Sequence, residues 1–212
     1  MPLQNRVDPA GNICSVQARG EFMGNRGGAL HNGDRRIVRT QKSRSWIICL
    51  TEFKGRHRAL MQPGRYTELF FLDEVTALAA GHRPCFECRR KHAIAFSEAL
   101  GLSRSEKRLS APAIDQLLAP ERRRDADAPE RIIGQSAISS LPDGAMVRQG
   151  ETYYAVRAGM LLPWSFSGYG APVDISTFTT AAVYLATPPS TVAALLQGYR
   201  PVFHSRAWTP DA

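Results

Sequence analysis

Apolar runs long enough to cross a bilayer are missing from these 212 residues. Even SWIICL (45–50) is cut short by Thr51 and Glu52, and a membrane-spanning helix needs roughly 18 or more apolar residues. The opening MPLQNRVDPAGN has no apolar centre of the export-signal kind, which makes the cytoplasm the expected compartment and a membrane partner unexpected. Cysteine occurs only four times, too rarely for a disulfide scaffold. In a reducing compartment those thiols are expected to serve packing, metal binding or nucleophilic chemistry. Lysine is as rare: Lys42, Lys54, Lys91 and Lys107 are the only lysines among 27 basic residues. What remains, 43% hydrophobic and 22% charged, is the composition of an ordinary soluble protein of one or two domains.

The formal charge is +8, and it is unevenly placed. Residues 1–110 hold 19 Lys and Arg against 10 Asp and Glu, whereas residues 111–212 hold 8 against 9. Arginine's planar fork suits bidentate contact with phosphates or base edges better than an ammonium does. The excess therefore points to a polyanionic partner, although a coding bias that writes Arg for Lys would leave the same trace.

Along the chain, glycine-rich GNICSVQARGEFMGNRGGALHNG (11–33) reads as short strands joined by tight turns. RSWIICLTEF (44–53) reads as a buried strand with Trp46, Ile48 and Leu50 on one face and Ile47 and Cys49 on the other. The turn pair Pro63-Gly64 precedes a second strand, YTELFF (66–71). LDEVTALAAG (72–81) has helical composition, with Asp73 and Glu74 in its first turn and Gly81 at the C-terminal cap position. A further helix, KHAIAFSEALG (91–101), is expected to end on Gly101. Residues 103–137 alternate charge with proline and read as a linker or surface excursion with one short helix at 112–119. Beyond Leu141, turn signals at Asp143-Gly144, Gly150 and Gly159 predict a small β meander. A strand at 179–186 and a Ser-capped helix at 190–198 closed by Gly198 follow it.

Cys85-Phe-Glu-Cys88, after Pro84 and between two helices, is a Cys-x-x-Cys turn. Two thiolates at this spacing can meet one metal ion. A redox pair and simple packing of two small thiols are the competing uses.

The surroundings narrow this choice. ELFFLDEVTALAAGHRPCFECRR resembles the zinc-binding N-terminal domain of the Ada DNA alkylation-repair proteins, in which a strand with paired aromatics leads to a helix ending Ala-Ala-Gly-aromatic-Arg-Pro-Cys-x-x-Cys. The matching residues are Phe70, Phe71, Ala77 to Gly81, Arg83, Pro84, Cys85 and Cys88, with His82 in the aromatic position. Upstream, Cys49 and the Arg56-His57 pair fall in register with the family pattern, and Phe53 stands where the family has its second cysteine. The resemblance spans roughly residues 44–92. It implies zinc held by Cys49, Cys85 and Cys88, with His57 as the best local substitute for the fourth ligand and Glu52, His82, His31 and Cys14 behind it. It also implies Cys49 as the position of the methyl-accepting thiolate. Three thiolates and an imidazole leave the site at −1 rather than −2, which makes the sulfurs poorer donors.

Basic residues crowd the same region. Arg56, Arg58, Arg83, Arg89, Arg90 and Lys91 are candidate nucleic-acid contacts, the last three at a helix start where free amides favour phosphate. Arg26 and His31 belong to a Gly/Arg/His loop (18–36) that reads either as a phosphate-binding or catalytic loop or as tight hairpin turns. For a hydrolase, His31, His57, Glu68 and Asp73 would be the acid, base or metal groups. Tyr153, Tyr154, Trp164, Phe166 and Tyr169 read as the core of a small β domain or as base-stacking aromatics.

These readings sum to an α+β protein: an Ada-like strand-helix-Cys-x-x-Cys-helix module within a basic domain (1–110), a charged linker (111–138) and a small β-rich unit (139–212). The expected activity is nucleic-acid binding, DNA before RNA, with structural zinc. The competing expectations are an enzyme, either a methyl acceptor through Cys49 or a phosphodiester hydrolase through His31, and a metal-free protein-interaction module.

Overall fold

The computed structural model describes residues 1–55, 59–122, 127–177 and 182–210. Its architecture is mixed α+β, with two sheets. In chain order the elements are β1 (Arg6–Val7), β2 (Ile13–Cys14), β3 (Phe22–Asn25), β4 (Ile47–Leu50), β5 (Leu69–Phe71), α1 (Glu74–Ala79), β6 (Arg83–Pro84), α2 (Arg90–Leu102) and α3 (Ala111–Arg122). They continue with β7 (Ile132–Ile133), α4 (Gln135–Ser139), β8 (Met146–Gln149), β9 (Thr152–Arg157), β10 (Met160–Ser165), β11 (Gly168–Tyr169), β12 (Val173–Asp174), β13 (Val183–Leu185) and α5 (Pro189–Leu196). No helix among the described residues is long and apolar enough to cross a membrane.

The first sheet runs β2-β1-β5-β3-β4-β6. Strand alternation gives it two unlike faces. Phe22, Ile48, Leu69 and Phe71 are buried in the main core, while Met23, Asn25, Ile47, Cys49 and Phe70 line a cleft on the other side. The second sheet, β11-β10-β9-β8-β13-β7, contains the meander expected beyond Leu141. Helix α1 lies between the sheets, and all six of its residues are buried. Ala77 and Leu78 join the main core, whereas Val75 and Ala79 pack with Met146 and Ala155 of the second sheet. Its end is a Schellman motif: Gly81, at φ +82°, donates its N–H to Leu78 (2.9 Å), and His82 donates to Ala77 (3.0 Å).

Three expectations change here. Residues 111–122 are not linker: α3 buries Ile114 and Leu118 completely, and β7 pairs with β13 in the second sheet. One apolar cluster then runs from Val7 through Ile114 to Leu195, crossing the boundaries expected at 110 and 138. Gly101 does not end α2 but sits inside it, where a Cβ would come within 2.8 Å of the Arg108 backbone. Ser190 does not cap α5 with its own side chain. Its N–H (3.1 Å) and hydroxyl (2.7 Å) instead donate to the Glu121 carboxylate of α3, an acceptor that pattern reading along one segment cannot supply.

Candidate metal centre and its cleft

Strand pairing assembles the site. β6 lies parallel to the edge of β4, with Ile47 opposite Arg83 and Ile48 opposite Pro84. Arg83 donates its N–H to Trp46 (3.0 Å) and Cys85 donates to Ile48 (2.9 Å). The intervening Pro84 has no N–H, and as the residue of an edge strand whose amide would face away from β4, it costs no ladder bond. This register carries Cys85 alongside Cys49. The Cys-x-x-Cys turn then folds Cys88 back, so that the Sγ atoms of Cys49, Cys85 and Cys88 all lie within 4.8 Å of one another, close enough to bind one metal ion.

Hydrogen bonding within the cluster favours the thiolate form at Cys85 over its two neighbours. Hydrogen bonds from Cys49 and Cys88, helped by the Glu87 and Cys88 backbone N–H groups, pull the Cys85 thiol down to about 2. The Glu87 N–H lies 3.4 Å from its sulfur. Cys49 moves the other way, because it shares its proton with Cys85 and Cys88 and is buried. For Cys88 the hydrogen bond with Cys49 lowers the thiol, and the pull of Cys85 together with burial outweighs it. Cys14 is distant in the fold, on β2 at the opposite edge of the sheet, and is no part of the cluster.

Two buried ion pairs clamp the turn. Arg83, before Cys85, makes a bidentate pair with Asp115 of α3 at 2.9 Å for both bonds. Arg89, after Cys88, makes one with Glu74 of α1 at 2.7 Å for both bonds. Burial acts against the Arg89 charge, but the Glu74 carboxylate outweighs it and holds the guanidinium above its ordinary range. Glu74 also accepts from Tyr199 Oη (2.5 Å) and the Val202 N–H (2.9 Å). Beside it, fully buried Asp73 accepts from the Thr76 N–H and hydroxyl, Tyr169 Oη and the His204 N–H. Burial raises the Asp73 carboxyl despite these donors. The adjacent acids of α1 thus tie the cysteine turn and the C-terminal region to one short helix.

This placement corrects the reading of the basic cluster. Arg83 and Arg89 are clamps rather than phosphate contacts, since a buried guanidinium already paired with a carboxylate has no face for a second anion. Arg26 is likewise internal, 1% exposed. It donates to His82 Nε2 (3.2 Å), Thr40 O and Gly11 O, and its guanidinium lies 3.7 Å from the Trp46 ring centroid. Burial, with Arg122 nearby, lowers it to about 9. Arg90 and Lys91 do face solvent. Arg56, His57 and Arg58 lie outside the described residues. His31 is buried away from the cysteines and interacts through Nδ1 with Thr67 Oγ1 (2.6 Å) and through Nε2 with Gln62 O (3.3 Å). The Gly/Arg/His loop is therefore built as turns; Gly27, at φ +89°, passes so close to Ser43 that a Cβ would collide with it. Of the C-terminal aromatics, Trp164 donates to Thr76 (2.9 Å) and Tyr169 to Asp73 (2.8 Å), so both brace α1.

The three cysteines line a cleft of about 530 Å³. Its other walls include Asn25, Phe53, Tyr66, Glu68 and Phe70, which come from β3, β5 and the segment between β4 and β5. Alternation on β3 and β5 was the signal that could have placed Asn25 and Glu68 on the face of Cys49. A neighbouring depression of about 430 Å³ shares Leu50, Glu87 and Cys88 and carries Arg90 and Lys91. Against known proteins, no family model, no curated protein and no solved structure matches the chain.

Proposed function

We propose that the protein binds nucleic acid over a cleft whose floor holds one zinc ion on Cys49, Cys85 and Cys88. The observation that carries the reading is the convergence of three sulfurs within 4.8 Å at a cleft, with exposed Arg90 and Lys91 in the depression that adjoins it. Thiolates on one tetrahedral zinc lie about 3.8 Å apart, given a Zn–S bond of about 2.3 Å, so the cluster needs to contract by no more than about an ångström. The N–H donor to Cys85 suits a ligand sulfur that must stay deprotonated. Among the described residues no fourth Cys, His, Asp or Glu joins the group, and Phe53, at the family's second cysteine position, lines the cleft instead. Zinc bound there would neutralise thiolate charge and keep a coordination position for a ligand from the cleft. The Ada resemblance supports the same ligand set. Lys54 beside Phe53, Arg65 beside Tyr66, and Arg90 and Lys91 in the adjoining depression are exposed and suited to phosphates.

One further reading has a specific observation behind it: Cys49, though only 7% exposed, is among the residues that line the cleft. In the methyl-acceptor reading its sulfur forms an S–CH3 bond as the O–CH3 bond of a phosphotriester breaks, leaving a phosphodiester. A hydrolase built on His31 has no comparable support, because that ring is committed to Thr67 and Gln62.

Native mass spectrometry with elemental analysis on untagged protein tests the centre. One zinc per chain is expected, lost in Cys85→Ser and retained in Cys14→Ser; metal-free wild type overturns the reading and leaves a packing role for the thiols. Binding of labelled DNA should weaken steeply with salt. Neutralising Arg90 and Lys91 together should reduce the log–log salt slope by about 2, one for each phosphate contact. Exposure of the protein to methylated phosphotriester DNA distinguishes the acceptor reading by one methyl gained on Cys49.

A further inference from the structure

The charge and burial of the cysteine cluster suit it to a softer centre than zinc. We infer that Cys49, Cys85 and Cys88 together capture trivalent arsenic, presented as arsenous acid, As(OH)3. The inference goes beyond the zinc reading of this site and stands without it. Arsenic(III) takes three sulfurs in a pyramid whose fourth corner is its own lone pair, so it needs no further protein ligand, and among the described residues the group has these three members and no more. As–S and Zn–S bonds are similar in length, about 2.3 Å, so sulfurs within 4.8 Å of one another need a similar contraction for either centre. Thiolates also select soft ions ahead of hard ones.

Charge favours the arsenic complex. Three thiolates on zinc(II) with a neutral fourth ligand sum to −1, whereas three on arsenic(III) sum to zero. Holding a net charge away from water is unfavourable. Cys49 and Cys85 are each only 7% exposed, and the walls beside them include Met23, Ile47, Phe53 and Phe70. The guanidinium groups on either side of the turn are already matched, Arg83 by Asp115 and Arg89 by Glu74, so neither offsets a residual negative charge at the sulfurs. Cys88, half-buried and lining both the cleft and the adjoining depression, is the point of entry. There the first As–O bond is exchanged for As–S, and Cys85 and Cys49 follow. Each exchange releases one water, made from an arsenic hydroxyl and a thiol proton, and arsenic stays trivalent throughout. From the zinc form, the same exchange frees Zn2+ and takes three protons from solvent to make the three waters.

Native mass spectrometry of the full-length, reduced protein with arsenite at equal concentration tests this. Wild type and Cys14→Ser are expected to gain one arsenic and lose three hydrogens. Cys49→Ser, Cys85→Ser and Cys88→Ser should each hold arsenic about tenfold or more weakly in competition with a dithiol, since one As–S bond is then replaced by a bond to oxygen. Zinc-loaded protein should release one zinc for each arsenic bound. Should the serine variants fold poorly, X-ray absorption at the arsenic edge of the wild-type complex decides alone, with three sulfur neighbours and no oxygen expected. No arsenic retained by wild type, two sulfurs with an oxygen, or retention unchanged in Cys88→Ser overturns the inference. Bound zinc that resists excess arsenite overturns it too, and leaves the zinc reading intact. Arsenic held by three sulfurs in protein that takes up no zinc upholds it while the zinc reading fails.

Discussion

Replacing Glu74 with glutamine tests whether the cysteine turn is held by the carboxylate of α1. The side chain is fully buried, and its partner Arg89 is 2% exposed at the side chain. Both carboxylate oxygens are used: Oε1 by Arg89 Nη1 and Tyr199 Oη, Oε2 by Arg89 Nη2 and the Val202 N–H. Glutamine keeps one acceptor oxygen and turns an NH2 donor toward groups that are themselves donors, so a buried guanidinium loses its countercharge with no space for solvent to replace it. Removing one partner of such a pair costs about 3–5 kcal/mol. For a chain of this size that is a fall in Tm of about 6–20 °C. Tyr199→Phe is the internal comparison, since it deletes one hydrogen bond to the same carboxylate and should cost about 1.5–3 kcal/mol. Urea unfolding of the three proteins at pH 7, with zinc content measured on each, gives the order. Glu74→Gln no more destabilising than Tyr199→Phe would refute the argument that charge pairing, rather than packing of α1, secures the turn.

Acidification supplies a second test. Burial, then the charges of Arg26 and Arg122, hold His82 well below its ordinary value of 6.5. Because the unfolded chain binds this proton more readily than the folded one, stability should fall as the pH drops below about 6.5, by up to about 1.4 kcal/mol per pH unit from this group. The slope between pH 6.5 and 5 should be reduced by that amount in His82→Phe, and an unchanged slope in urea titrations would assign it elsewhere. Glu121→Ala should uncap α5 and cost about 1 kcal/mol by thermal unfolding, since its carboxylate takes both the N–H and the hydroxyl of Ser190; no loss would show that the helix start is satisfied by water.

Local chemistry made much of the fold legible in the residues. The apolar alternation of 44–53 and 66–71 predicted β4 and β5, Gly81 predicted the end of α1, and the Gly-punctuated text after Leu141 predicted the meander, because each signal acts within a few residues. Cys85-x-x-Cys88 announced itself by spacing, and Cys49 was reachable only through the family resemblance. Charge was the misleading feature. Arg83 and Arg89 look like members of a phosphate-binding cluster when read along the chain, yet Asp115, 32 residues away, and Glu74, 15 residues away, neutralise them in the interior. Sequence by itself determined which residues could be strands, helices, caps and soft metal ligands, since those depend on backbone preference and side-chain chemistry. Tertiary structure alone decided which sulfurs meet, which arginines are spent on buried carboxylates and which face of the first sheet is left open as a cleft, because pairing between distant segments has no period or spacing to announce it.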